Sequence, residues 1–362
     1  MHPLYKQIQD DIRQQIASGL LRAGDMVPSE KALAAQYNVS QITSKNALNG
    51  LVEEGLLVRF RGKGTFVKQS RDLITEPDEG DDMISVALIL PTMKTKVDQR
   101  LLDALEKYAS AASYELLIRI TRESQQEEAR AVERFRERGV QGFIVFPVEQ
   151  ENYNDAILRL SLDRVPLVLV DRYLKEIRTY SVSSDNSGGT ESMISAMLTE
   201  GHRSIIYLST EIANTVTEER SKGYESAYMK HGLPIDKALW CLLPLPTIAE
   251  GRALEEIVHF LQQHKEATAV FAANAELARY ARQALDRLHR EDLTNQRFPR
   301  PVLAAFDDPD LPGVPYVRQQ EDEIGRLAIE LLGEQLQERY EPRRVIVPVH
   351  LHTEDSILSP PQ

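Results

Sequence analysis

Eight short apolar runs between residues 84 and 306 alternate with stretches of helical periodicity. The runs are "ISVALIL", "YELLIRI", "GFIVF", "PLVLV", "SIIYLS", "LWCLL", "TAVFAA" and "VLAAF". Strands that are apolar along both faces belong to sheets covered on both sides, which is the condition of parallel sheets with crossover helices. The helical stretches fall at 98–112, 125–138, 187–200, 218–231, 249–263 and 275–289, between most of these runs. The pattern therefore specifies an α/β body with parallel sheets. About 270 residues exceed one open sheet of modest size, so two lobes are expected.

The first 68 residues follow a different rhythm. Leu4, Ile8, Ile12 and Ile16 stand four apart, one stripe of a helix that stops near Gly19. In "PSEKALAAQYNVS", Ser29 is placed to cap a second helix that turns Ala32, Leu33 and Tyr37 inward. After a tight turn at Asn38-Val39, Ser40 caps a third helix with inner face Ala47, Leu48, Leu51 and Val52, ending at Gly55. "LLVRF" and "GTFVK" then read as strands joined around Arg61-Gly62-Lys63-Gly64. Helix, helix, turn, helix and hairpin make a winged helix-turn-helix over 1–68. Residues 69–82, "QSRDLITEPDEGDD", carry six acids and read as a solvated acidic linker, leaving 83–356 for the body.

Charge sharpens the division. The chain carries a formal −12. Residues 1–68 hold nine Lys/Arg and six Asp/Glu, a net +3, which leaves −15 for the remainder. A small basic module on an acidic body is the footprint of polyanion binding by one end only. No 18 apolar residues run together, so no membrane partner is expected, and the polar N-terminus lacks the apolar core of a signal peptide. With Cys241 as the single cysteine, no intrachain disulfide forms, and a cytoplasmic location is the simplest expectation.

A recognition helix shows short polar or cationic side chains on its first turns while its other face packs. Ser40, Gln41, Thr43, Ser44 and Lys45 meet that need. Lys45 suits a phosphate or a guanine, Gln41 an adenine. Arg61 and Lys63 on a glycine hairpin suit the adjacent minor groove. A winged helix used for protein contacts is the alternative. The stretch from Leu4 to Val67 resembles the DNA-binding domain of the GntR family of bacterial transcription regulators. The resemblance rests on the Gly19 and Gly24 loop, Pro28-Ser29-Glu30, Ala47-Leu48, Glu54-Gly55-Leu56 and the Gly62-Lys63-Gly64-Thr65-Phe66-Val67 wing. It implies contacts to a double-stranded, palindromic DNA operator from Lys31, Ser40, Gln41, Thr43, Ser44, Lys45, Arg61, Gly62 and Lys63. The family often has arginine at the positions of Gln41 and Lys45, so base preference does not transfer from better-known members.

In the body, "VPLVLVDRY", "SVSSDNSGGTESMISAMLTEGHRSIIYLS", "EERSKGYESAYMKHGL", "TAVFAANAELA" and "VLAAFDD" resemble the effector domain of the LacI/GalR family, which is periplasmic-binding-protein-like. Joined to a GntR-type head, this is similar to the arabinose repressor subgroup. The resemblance implies a sugar effector in a cleft, contacted by Asp171, Arg172, Arg220, Asn274 and Asp307, and a homodimer. Carboxylates, an arginine fork and an amide at the ends of apolar strands suit a polyol's hydroxyls. Ala275 stands where the family often has aspartate. The loop "PTMKTK" is a further candidate contact.

Several features read more plainly. Asp185-Asn186 suits a helix cap, and Asp307-Asp308, as neighbours on a strand, point apart and do not form an acid/base dyad. His350 and His352 lack the companions of a metal set, and His202 suits a helix end. With no nucleophile elbow, phosphate-binding loop or dinucleotide fingerprint, no enzyme activity, metal or cofactor is expected. The reading is a ligand-responsive repressor of carbohydrate-utilisation genes, released from DNA by sugar. A solute-binding protein, or a carbohydrate-acting α/β enzyme with a DNA-binding appendage, is the alternative.

Overall fold

A computed structural model describes residues 4–22, 24–60, 64–67, 83–148, 154–175, 177–211, 214–291 and 300–353. It divides into two compact units, Met1–Asp82 and Met83–Gln362. The acidic stretch 69–82 lies outside the described residues.

In the first unit, α1 (Leu4–Ala17), α2 (Glu30–Gln36) and α3 (Gln41–Glu53) precede an antiparallel pair, β1 (Leu57–Phe60) and β2 (Gly64–Val67). Their core is Ile8, Ile12, Val27, Leu33, Ala47, Leu48, Leu51, Leu57 and Val67. Within α2 the inward residues are Leu33 and Ala34; Ala32, expected inside, is exposed, since the turn is set by the Ser29 cap on the Ala32 amide. Gly55 adopts φ 72° directly after the α3 cap at Glu54, a backbone that glycine takes without a Cβ penalty. At Gly50 an added Cβ would lie 2.1 Å from Gln9 Nε2, which itself donates to the Ala47 carbonyl. The missing side chain lets α1 lie close against α3. The segment before α2 adds a third rung to the wing: Val27 N–H donates to Thr65 O and Val67 N–H to Asp25 O.

The second unit opens with β3 (Ile84–Leu90), α4 (Lys96–Ala111), β4 (Tyr114–Ile120), α5 (Gln125–Glu137), β5 (Gly142–Val145), α6 (Asp155–Leu162), β6 (Leu167–Val170) and β7 (Tyr180–Ser184). The chain then crosses to a second lobe: α7 (Asn186–Thr199), β8 (Ile205–Thr210), α8 (Thr215–Lys230), β9 (Trp240–Leu243), α9 (Leu245–Ala249), α10 (Ala253–Gln263), β10 (Ala269–Ala272), α11 (Ala275–Glu291), β11 (Val302–Phe306) and β12 (Tyr316–Arg318). It returns through α12 (Glu321–Leu336) and β13 (Arg344–Val347) to the first lobe and ends in the second with β14 (His350–His352).

Each lobe is a six-stranded sheet, in the orders β13-β7-β6-β5-β3-β4 and β14-β12-β11-β10-β8-β9. The two orders correspond strand for strand. Every pairing is parallel except β12 with β14. Helices cover both faces, which is why β5, β6 and β10 are buried at every residue. The three crossings between lobes, Ser184–Asn186, Arg318–Glu321 and Val347–His350, involve the short strands β7, β12, β13 and β14, none of which appears among the eight apolar runs.

Candidate functional site

The head presents one outward helix face. Ser40 caps α3, accepting from the Thr43 amide at 3.1 Å, and its hydroxyl lies 2.8 Å from Thr43 Oγ1. Gln41 and Lys45 are exposed, as is Lys31 on the first turn of α2; Thr43 is half-buried. Ser44 corrects the sequence-based reading. It is fully buried, and its hydroxyl donates to Glu30 O at 2.7 Å and to Gln41 O at 3.0 Å. It therefore ties α3 to α2 and is not available to DNA. The reason is helical phase: Ser44 shares the inward side with Ala47, Leu48 and Leu51, whereas 41, 42, 45 and 46 face out. Ile42, 72% exposed, was missed because an apolar residue reads as core. Its phase was the available signal, and an exposed methyl group on such a face suits a thymine methyl. Arg61, Gly62 and Lys63 lie outside the described residues. Arg59, just before them, pairs with Glu30 at 2.9 Å.

In the body, the carboxyl ends of β3, β6, β8, β10 and β11 converge on a cleft of about 190 Å³ between the lobes. That is where parallel α/β sheets leave a crevice. Asp171, Arg172, Arg220, Asn274 and Asp307 all line it, together with Pro91, Thr92, Thr95 and Lys96 of the "PTMKTK" loop and Ala275.

Asp171 and Asp307 hold corresponding places. Each follows the fourth strand of its lobe, β6 or β11, with φ 65° and 67°. Each donates its amide to the next strand, Asp171 to Val182 O and Asp307 to Val317 O, both at 2.9 Å. Left-handed backbone, which aspartate tolerates better than most residues, turns both carboxylates into the cleft. Their surroundings differ. Asp307 accepts from Gln319 Nε2 at 2.7 Å and from Arg220 Nη1 at 3.5 Å. Burial pushes its carboxyl above the ordinary range while Arg220 and Gln319 pull it back. Among the described residues no hydrogen bond reaches the Asp171 carboxylate, and Arg172 Nε stands 4.0 Å away. Burial pushes the Asp171 carboxyl up to about 6, against the opposing charges of Arg172 and Arg220.

The arginines are held from behind. Arg220, 4% exposed, donates from Nε to Asn186 Oδ1 at 2.9 Å and from Nη1 to the Ala273 carbonyl, with its guanidinium carbon 3.6 Å from the Phe306 ring centroid. Stacking on an aromatic face and a fork of donors fix its plane. Arg172 donates to Pro147 O at 2.6 Å and lies 5.0 Å from the centre of Phe146. Asn274 accepts from the Leu277 amide at 2.8 Å, so its oxygen caps α11, and the residue lines the cleft.

Apart from Asn186, which was read with Asp185 as a helix cap, sequence reasoning missed the residues that join this floor to the crossings. Ser184 donates to Gln319 Oε1, the Asn186 amide donates to Ser184 O at 3.2 Å, and Gln320 Nε2 donates to Pro348 O at 2.7 Å. One hydrogen-bonded path thus runs from Asp307 through Gln319 to Ser184. A serine at the end of a short strand and glutamines just after one carry no periodic signal. Asp185 caps α7 through the Gly188 amide. His202, fully buried, points Nδ1 at Thr268 Oγ1, 2.7 Å away, and His352 packs on Tyr316 with ring centroids 4.7 Å apart. Cys241 is buried, and burial pushes its thiol up to about 12. Among the described residues no group of three or more His, Cys, Asp or Glu is arranged to hold a metal, and no helix is long and apolar enough to cross a membrane.

Comparison with known proteins adds two family matches. Residues 4–67 match the bacterial regulatory proteins of the gntR family, and residues 86–339 match a periplasmic binding protein domain. The arabinose metabolism transcriptional repressor of Geobacillus stearothermophilus is 26% identical over 283 residues, spanning 76% of this chain and 75% of the relative. A putative ribose operon repressor from Burkholderia thailandensis superposes with a TM-score of 0.65 at 24% identity, over 75% of this chain and all of that one. A LacI family regulator from Enterococcus faecium, solved with bound ribose, gives 0.62 at 19% identity over 77% of this chain and all of that one.

Proposed function

This chain belongs to the periplasmic binding protein domain family and carries a gntR-type regulatory head, and from that premise we propose that it is a transcriptional repressor of carbohydrate-utilisation genes which a sugar releases from DNA. The supporting observation is a pairing within one polypeptide. The head offers Gln41, Ile42 and Lys45 on an exposed helix face, and the body turns a buried carboxylate, Asp171, into a cleft where no hydrogen bond meets it among the described residues. A polyol supplies the missing donors: vicinal hydroxyls bond to Asp171, while the amide of Asn274 and the Arg220 fork serve as donors to ring and hydroxyl oxygens. The repressor named for arabinose metabolism and the regulator holding ribose support a sugar as effector.

The rest of the reading is mechanical. The domains are 1–68, a linker over 69–82, and 83–356. The protein acts in the cytoplasm as a homodimer, two heads reading a palindromic operator. A head of net charge +3 binds weakly alone, and joining two raises the effective concentration of the second. A ligand that prefers one lobe arrangement shifts the equilibrium toward it. The path Asp307–Gln319–Ser184 carries that preference into the crossings between lobes.

The test is a gel shift with double-stranded DNA selected by the protein from a random pool, run at several salt concentrations with and without pentoses and hexoses. Binding that weakens steeply with salt and is reversed by one sugar is the expected result. Sugar turnover by the purified protein, or no retardation of DNA at low salt, contradicts it.

A further inference from the structure

The cleft's charges bear on which sugars enter. Among the described residues, seven carboxylates and five cations line it. Four of those cations face the chain's own acids. Arg220 reaches Asp307 at 3.5 Å, and Arg172 Nε lies 4.0 Å from Asp171. At the rim, Lys96 lies 3.4 Å from Asp308 and 3.0 Å from Asp310, while Arg100 lies 3.8 Å from Asp308 and 3.6 Å from Glu321. The fifth, Arg318, is exposed on β12, and a single solvated guanidinium holds a phosphate weakly.

Helix starts are the other element that attracts phosphate, through free amides and the helix dipole. Here α4 begins with a capping box in which Asp98 accepts from the Thr95 amide and Thr95 accepts from the Asp98 amide. Asp98 is 3% exposed and lines the cleft, so a carboxylate of the chain already sits where a phosphate would. The starts of α8 and α11 are closed by Asn214 and Asn274.

We infer that this cleft takes an unphosphorylated polyol and excludes its phosphate esters, with Asp308 and Asp310 as the specificity determinants that keep Lys96 and Arg100 from serving as a phosphate clamp. Two further features fit. Among the described residues Asp171 has no hydrogen-bond donor, so it would repel a dianion, and the carboxylates lining the cleft outnumber its cations. The inference rests on the sugar reading above and narrows it.

The experiment is a thermal-shift titration of the full chain with pentoses, hexoses and their phosphate esters, and of the Asp308→Asn, Asp310→Asn double variant with inorganic phosphate. Both side chains stand at the surface rim, and far-UV circular dichroism shows whether the variant is folded. In the natural protein, an unphosphorylated sugar raises the midpoint, and its phosphate ester needs at least about tenfold more ligand for the same shift. The double variant gains a response to inorganic phosphate that the natural protein lacks. Phosphate esters acting at equal or lower concentration than the free sugars overturn the inference and leave a carbohydrate effector standing. A folded double variant with no gain toward phosphate also overturns it. If no carbohydrate shifts the natural protein while the variant gains the phosphate response, the sugar reading falls and the masking of Lys96 and Arg100 is upheld.

Discussion

The two lobes of the body share a strand order and place an aspartate in the same left-handed turn, yet they use it differently. In the second lobe Asp307 is built into the protein, bonded by Gln319 and approached by Arg220. In the first lobe Asp171 has no such donor among the described residues, and burial outweighs the nearby charges of Arg172 and Arg220 in setting its chemistry. Corresponding positions thus hold one carboxylate bonded into the protein and one that, among the described residues, meets no hydrogen-bond donor. Burying a carboxylate without donors costs free energy, and a ligand recovers it.

The comparison breaks first at Arg220. Arg220→Ala leaves Asp307 buried beside an empty space and frees Asn186, so the protein should lose about 3 kcal/mol of stability and all response to sugar. Denaturant unfolding and a sugar titration measure both. Asp171→Asn should behave differently, with a folding midpoint at or above that of the natural protein, because a desolvated charge is removed. Its sugar affinity should fall by about tenfold to a hundredfold, the scale of one or two charge-assisted hydrogen bonds. Equal destabilisation by both substitutions would erase the distinction between the lobes.

The first lobe also carries a pH signature. Because the folded Asp171 carboxyl is raised to about 6, the folded protein holds a proton that the unfolded chain has released between roughly pH 4 and 6. This group's contribution to stability therefore declines as pH rises through that window. Hydroxyl donors favour the carboxylate, so sugar affinity should rise with pH by up to about tenfold per unit below 6 and level off above. Asp307 and Asp98, also raised by burial, keep their own donors, and Asp171→Asn should flatten the profile. Titration calorimetry from pH 5 to pH 7.5 reads this directly.

A smaller effect separates head from body. Lys45→Ala should weaken DNA binding across sequences and reduce the slope of log affinity against log salt by about one, if Lys45 meets a phosphate. Gly50→Ala forces Gln9 aside and should lower the head's stability by about 1 kcal/mol without changing sugar affinity. Loss of sugar binding by either variant in the absence of DNA would deny that the head takes no part in forming the sugar site.

What was legible in the sequence follows the same physics. Long apolar runs announced the central strands, because parallel strands buried on both faces leave no room for polar residues. The helices of the head were legible from serine caps and a four-residue stripe. The crossings were not: β7 reads "YSVSS" and is buried at every position, with Ser184 bonded to Gln319 and Ser183 to Arg344. Nothing in a local pattern distinguishes such a strand from a loop. The five cleft residues expected from the resemblance do converge, but the partners that give them different roles, Gln319, Asn186 and Ser184, are set by tertiary contact. Ser44 erred in the other direction, since its polarity suggested DNA while its helical phase placed it inside.

The most direct measurement is operator affinity by fluorescence anisotropy for the natural protein and Asp171→Asn, each titrated with the sugar that stabilises the natural protein. Both should bind DNA equally well without sugar, and Asp171→Asn should release it only at about tenfold to a hundredfold more sugar than the natural protein needs. Release of both at the same sugar concentration, or weakened DNA binding by Asp171→Asn without any ligand, would contradict a cleft whose first-lobe carboxylate receives the effector.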